Sequence, residues 1–347
     1  MKIRLFPMLG LLIGLILPVW CYAESSEAPE ATLAKEIASK GWIAYSARAE
    51  NGNWDIFLAR PDGTQSRNIT NTPDREDAAP LFSWDGKKVL YRSLAKGTEI
   101  NHDKWGFDGE LVIADANGQN PIVVGNDKEY TWACWSPDGK QVSCLSLKGI
   151  QIFDLETKQI VRTIPRKGIY QQLFWSPDGK WFTGTANAGG AQWSVVRMNA
   201  ETGDLNAIIT FQSCTPDWFP DSQRIIFSSR PKQTTNKGYG WTQLYKVDGD
   251  GKNLDLIYGE DGSHVYGGTV SPDCNYVLFT KCPNDGGGSE ESGAPIFLMR
   301  LADAPIIQGE TPEIRQMYPD SHDGPVLDLH LKGWEPCWTY AELGVSK

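Results

Sequence analysis

The chain is poor in the residues that most enzyme chemistries require. It has 4 histidines in 347 residues, His102, His264, His322 and His330, and no two stand at a metal-ligand spacing. No Gly-x-Ser-x-Gly elbow occurs, which argues against a serine hydrolase of the α/β-hydrolase kind. No Cys-x-x-Cys-His occurs either, so no c-type haem and no other cofactor of its own is expected. Basic charge is scarce: 33 Lys and Arg stand against 43 Asp and Glu, a balance of −10 with no basic run. Nucleic acid and anionic lipid are therefore poor partners. Beyond residue 23 no stretch is apolar enough to span a bilayer, so no stable membrane insertion is expected.

The one long apolar run lies at the start. Lys2 and Arg4 precede Leu5 to Trp20, and Cys21-Tyr22-Ala23 leads into the polar Glu24-Ser25-Ser26. This reads as a secretory signal peptide, residues 1–23, that sends the chain to the periplasm or an equivalent extracytoplasmic compartment. The run is short for a membrane anchor and is interrupted by Pro7 and Pro18. Cleavage takes the charge balance from −10 to −12 and leaves six of the 7 cysteines in an exported chain. Cys134 and Cys144 flank one hairpin at near-matching distances from its turn, so a disulfide between them competes with two free buried thiols.

What the chain has in plenty is repetition. Trp135-Ser-Pro-Asp-Gly-Lys returns as Trp175-Ser-Pro-Asp-Gly-Lys, with looser copies at Phe82, Trp218 and Val270. Their aspartates, Asp85, Asp138, Asp178, Asp221 and Asp273, are spaced by 53, 40, 43 and 52 residues. A period of that size signals stacked or radially arranged units. Each copy precedes a short β-rich run such as KKVLYRS or QRIIFSS, then a second run ending in Asp-Gly, Asn-Gly or a similar turn. The unit is therefore strand, SPDG turn, strand, loop, strand, turn, strand, which is a four-stranded antiparallel propeller blade. Ser, Pro, Asp and Gly are turn residues here, not five catalytic pairs. Likewise Asp248, Asp250 and Asp255 in DGDGKNLD form a hairpin turn, because Lys252 stands where a calcium loop needs an oxygen ligand.

The count predicts an all-β, six-bladed propeller, with room for a seventh blade in the last interval. The segment GPVLDLHLKGWEPCWTYAEL from Gly324 supplies the strand that GWIAYSAR at Gly41 lacks, so the C-terminal strand is expected to close the ring. The SPDGK phrase before an apolar strand resembles the repeat of the TolB-like (WD40-like) β-propeller family, over roughly Trp42 to Trp338. That resemblance implies an exported propeller that works by binding other proteins. The family's namesake carries a separate N-terminal α/β domain; here residues 24–40 make a short N-terminal segment before a single propeller domain at 41–347. The plan of a secreted single propeller also resembles the propeller β subunit of hydrazine synthase of anammox bacteria, which implies haem-bearing partner subunits.

Function is expected on the face that carries the long loops. These begin at Leu94, Arg230 and Cys282 and offer His102, Lys104, Trp105, Arg230, Tyr239 and Trp241 as interaction residues. The leading expectation is a non-catalytic protein-interaction module, a subunit or scaffold of a complex. The alternative is a carbohydrate lyase or hydrolase, which requires Arg48, Arg92, Arg230 and Lys281 to converge with carboxylates or histidines at the central depression.

Overall fold

The SPDG phrase folds the same way at each full copy. In the second, the Ser136 hydroxyl donates to Asp138 Oδ1 at 2.6 Å while the Lys140 N–H donates to the same oxygen at 3.1 Å and the Gln141 N–H to Ser136 Oγ at 2.9 Å. The 83–88, 176–181 and 271–276 turns repeat this network. Hydrogen bonds to the ionised form hold the Asp138 carboxyl below its ordinary pKa, chiefly the one from Ser136.

The computed structural model describes residues 28–100, 109–124, 130–210, 212–230, 242–260, 262–283, 293–304 and 324–343. The leader lies outside them. The strands, in chain order, begin with β1 (Trp42–Arg48), β2 (Trp54–Ala59) and β3 (Arg67–Asn68). A first separate sheet follows, made of β4 (Arg75–Phe82), β5 (Lys88–Ala95), β6 (Glu110–Asp115) and β7 (Ile122–Val124). The second comprises β8 (Thr131–Trp135), β9 (Gln141–Ser146), β10 (Gly149–Asp154) and β11 (Gln159–Ile164). The third has β12 (Ile169–Trp175), β13 (Trp181–Ala188), β14 (Ala191–Asn199) and β15 (Leu205–Ile209). The fourth has β16 (Ser213–Trp218), β17 (Arg224–Ser229), β18 (Gln243–Asp248) and β19 (Asp255–Tyr258). Last come β20 (Ser263–Val270), β21 (Tyr276–Pro283), β22 (Ala294–Arg300) and the 13-residue β23 (Leu327–Thr339). The fold is an all-β propeller of four-stranded antiparallel blades.

The structure departs from the expected set of six separate blades. Four sheets are separate, and the other strands form one seven-stranded sheet in the order β20-β21-β22-β23-β1-β2-β3. The cause is β23. Its first half pairs with β22, Leu327 opposite Leu298 and Gly333 opposite Ala294. Its second half pairs with β1, Trp334 opposite Ser46 and Thr339 opposite Trp42. The expected closure by the C-terminal strand is present, and the same strand also completes the sheet before it. Gly333 permits the change of partner, because a Cβ there would lie 2.3 Å from the Ser46 carbonyl oxygen.

Two further features set up the interior. Helix α1 (Pro29–Ile37), in the short N-terminal segment, buries Leu33 and Ile37 against Ile43, Tyr45, Tyr276 and Trp338. Its Glu36 accepts hydrogen bonds from Tyr276 and Arg300. Each innermost strand takes positive φ at its bend, at Ala79 (54°), Trp132 (42°), Gln172 (45°), Thr215 (51°), Gly267 (64°) and Glu335 (54°), and β23 does so a second time at His330 (54°) in its outer half. The ladder slips beside the first six, so each of those is a bulge that bends the strand at the axis.

Replacing Gly333 with alanine is expected to force β23 off β1 and cost about 1–3 kcal/mol by overpacking. Urea denaturation followed by tryptophan fluorescence measures this, and an unchanged midpoint would refute the role given to Gly333.

Candidate functional site

The bulges turn side chains toward a narrow channel on the propeller axis. Its waist is a cavity of about 50 Å³ lined by segments of β4, β8, β12, β16, β20 and β23, including Trp132, Phe174, Thr269 and Cys337. Two carboxylates face it, Asp217 from β16 and Glu335 from β23, and among the described residues no basic one lines it. Asp217 accepts the Trp218 N–H at 2.7 Å and the Thr269 hydroxyl at 3.1 Å. Glu335 Oε1 is buried and has no hydrogen-bond partner. Burial raises the pKa of each carboxyl to about 7, and the Asp217 charge adds to the rise at Glu335.

On the turn face the channel widens into a bowl of about 430 Å³. Phe82, Trp84, Trp135, Phe174, Trp175, Trp218, Trp338 and Tyr340 supply its aromatic wall, with Pro177, Pro220 and Pro272 between them. Leu81, Phe174, Asp217, Thr269 and Cys337 line both bowl and waist, so the two are continuous. The wall is set by local hydrogen bonds: Trp135 Nε1 donates to Leu81 O at 2.9 Å, Trp175 Nε1 to Gly179 O at 2.9 Å and Trp338 Nε1 to Lys40 O at 2.7 Å. Trp218 Nε1 is buried without a hydrogen-bond partner among the described residues, and Trp84 is 49% exposed at the rim.

The expected site was the opposite face, and most of its residues, His102, Lys104, Trp105, Tyr239 and Trp241, lie outside the described residues. Arg230 is described. It lines a cavity of about 270 Å³ with Tyr170, Thr242, His264 and Tyr266, and its guanidinium sits 4.9 Å from the Trp193 ring centre. His264 is buried in β20 with Nδ1 2.6 Å from the Thr242 hydroxyl.

The four cations do not converge. Arg48 is exposed and donates to Gly52 O at the tip of its own hairpin. Arg92 is buried within β5, and Lys281 pairs with Glu260 at 2.5 Å. Lys281 also reaches the Tyr258 hydroxyl of the preceding sheet and Arg230 the Trp193 ring, so these cations stay at separate places and do not assemble the arrangement that a carbohydrate-cleaving site requires. Among the described residues no group of three or more His, Cys, Asp or Glu is placed to hold a metal ion.

Of the two alternatives for Cys134 and Cys144, the structure has no disulfide between them; both are buried thiols. The bulge between Thr131 and Ala133 sets Cys134 opposite Ser143 and Cys144 opposite Ala133. Adjacent register positions point to opposite sheet faces, so the two sulfurs enter different core clusters. Cys134 Sγ lies 3.0 Å from Ser143 Oγ instead.

No family model matches the chain. A Tol-Pal system protein TolB from Francisella tularensis subsp. mediasiatica is 30% identical over 191 residues, 52% of this chain and 42% of that protein. The chain spans about half the length of the curated relatives it matches. Among solved structures, TolB from Acinetobacter baumannii has a TM-score of 0.55 at 19% identity, covering 86% of this chain and 66% of that one. Hydrazine synthase of Kuenenia stuttgartiensis is more distant, with a TM-score of 0.48 at 14% identity over 72% of this chain and 71% of its own.

Two outcomes are expected. Alkylation of the denatured, unreduced protein should label Cys134 and Cys144 as separate thiols by peptide mass spectrometry; a linked peptide pair would refute the register. Asp217→Asn should stabilise the fold by up to about 4 kcal/mol at pH 8. The folded carboxyl keeps its proton up to about pH 7, whereas the unfolded one ionises near pH 4. Native stability is therefore full below pH 4 and falls as pH rises to 7. The variant escapes that loss, so the difference in denaturation midpoint should shrink toward pH 4.

Proposed function

We propose that this TolB-like propeller is an exported, non-catalytic protein-interaction module that receives its partner on the turn face. The aromatic bowl carries the reading. Tryptophan, tyrosine and proline around an open concavity supply large apolar contact area at low conformational cost, the composition found at interface anchors. Its volume of about 430 Å³ lies in the range of ligand-holding clefts. The leader supports export, and among the described residues no helix is long and apolar enough to cross a membrane.

In this reading β23 counts in two blades, once with β20–β22 and once with β1–β3, which divides the seven-stranded sheet and gives a ring of six. The chain is a subunit or scaffold of a larger assembly and brings no cofactor of its own. A redox enzyme with haem-bearing subunits is one such setting. The long loops from Leu94, Arg230 and Cys282 offer the assembly a second surface on the other face.

The test is recovery of tagged protein from its native envelope under mild conditions, with companions read by mass spectrometry and haem by visible absorption. A stoichiometric companion should be retained by the parent and by Ile160→Asp, which alters an exposed residue of the outer strand β11. Trp84→Asp should lose at least nine-tenths of it. A lone, colourless monomer would sink the subunit reading.

A further inference from the structure

The axis of the propeller holds two carboxyl groups with no cation beside them among the described residues. Asp217 and Glu335 share a waist with no basic residue in its lining, and Glu335 Oε1 is buried without a partner. Isolated buried carboxylates are costly, and a protein holds them neutral or supplies a cation. Among the described residues none supplies it, and the charge of Asp217 opposes the ionisation of Glu335. The approach from the turn face is the bowl, whose wall is aromatic and apolar and whose one charged rim residue, Asp85, is also acidic.

We propose that the bowl and channel receive an extended apolar segment of a partner protein that sends one lysine or arginine side chain down the axis to Asp217 and Glu335. This rests on the docking reading above and specifies what docks. Three observations select the occupant. The waist, about 50 Å³, holds a few waters or the tip of one side chain, and is too small for a sugar ring. Divalent cations such as calcium take six or more oxygen ligands, whereas two carboxylates face the waist and no three-residue metal cluster is present among the described residues. The aromatic wall above the carboxylates suits the methylene stem and flanking apolar residues of a peptide, and aromatic faces attract the cation on its way in. A chain with a net charge of −10 also favours a basic partner segment over an acidic one.

The probe is a phage-displayed library of random heptapeptides selected on the folded protein. The expected result is enrichment of one basic position flanked by apolar residues. A synthetic peptide of the enriched sequence should then bind at least tenfold more tightly, by isothermal titration, than the same peptide with norleucine at the basic position. Asp217→Asn and Glu335→Gln should each abolish that difference while leaving the norleucine peptide's affinity unchanged. Trp84→Asp should weaken both peptides, which separates the bowl from the channel. Equal binding of the two peptides would overturn the channel proposal and leave the bowl as a docking surface. Failure of any peptide to enrich would overturn the proposal too, while co-purification of a native partner would still decide the broader reading. Calcium chloride or butylammonium occupying the carboxylate pair as tightly as the peptide would overturn it in favour of a metal ion or a free amine.

Discussion

Crowding at the axis is the constraint from which the rest of this molecule follows. Innermost strands that run toward a common line cannot stay regular, and at Ala79, Trp132, Gln172, Thr215, Gly267 and Glu335 the backbone enters the left-handed region. For a non-glycine residue that conformation costs about 1–3 kcal/mol, so it persists only where the surroundings over-determine it. In return, the bend separates the strand into a part that pairs outward and a part that faces the channel. Asp217, two residues beyond one such bend, and Glu335, at another, are consequences of that geometry. The aromatic residues that follow the bends are carried onto the turn face, where they form the bowl.

Channel and bowl have opposite physical characters and share a boundary. The waist is small and acidic; the bowl is large and aromatic. In a low-dielectric setting the carboxylates act strongly on anything that reaches them and weakly on anything that stays at the rim. A partner is thus sorted twice, first by shape and apolar area, then by charge. The dispersal of Arg48, Arg92 and Lys281 fits this division, since none of them lines the waist.

Much of the fold was legible because it is written in local chemistry. Ser, Pro, Asp and Gly determine a turn within a few residues, and copies at a period of forty to fifty disclose the ring. The closing strand was legible from the likeness of Pro336-Cys337-Trp338 to the openings of the other repeats. What could not be read depends on register and packing. The bulge before Ala133 is made at Trp132, a residue with no preference for positive φ, and it moved Cys134 away from Cys144. The continuity of β23 hangs on a close approach at Gly333 that only the folded chain reveals. Helix α1 had a signal, Pro29 at its start with Leu33 and Ile37 four apart, but a single short stretch carries little weight alone. The site was missed for a different reason. The tryptophans that open the repeated phrase were in view from the start, and their convergence is a property of the ring.

The position of β23 in the chain also gives the molecule an order of assembly. Strand β1 is among the first residues made, and its inner neighbour follows every other strand. Until residues 327–339 arrive, the first sheet shows an unpaired edge at β1 and the last sheet an unpaired edge at β22. Such edges invite pairing with other chains and attack by proteases. A chain that lacks β23 would therefore be left with two adhesive borders, both of which this one strand hides.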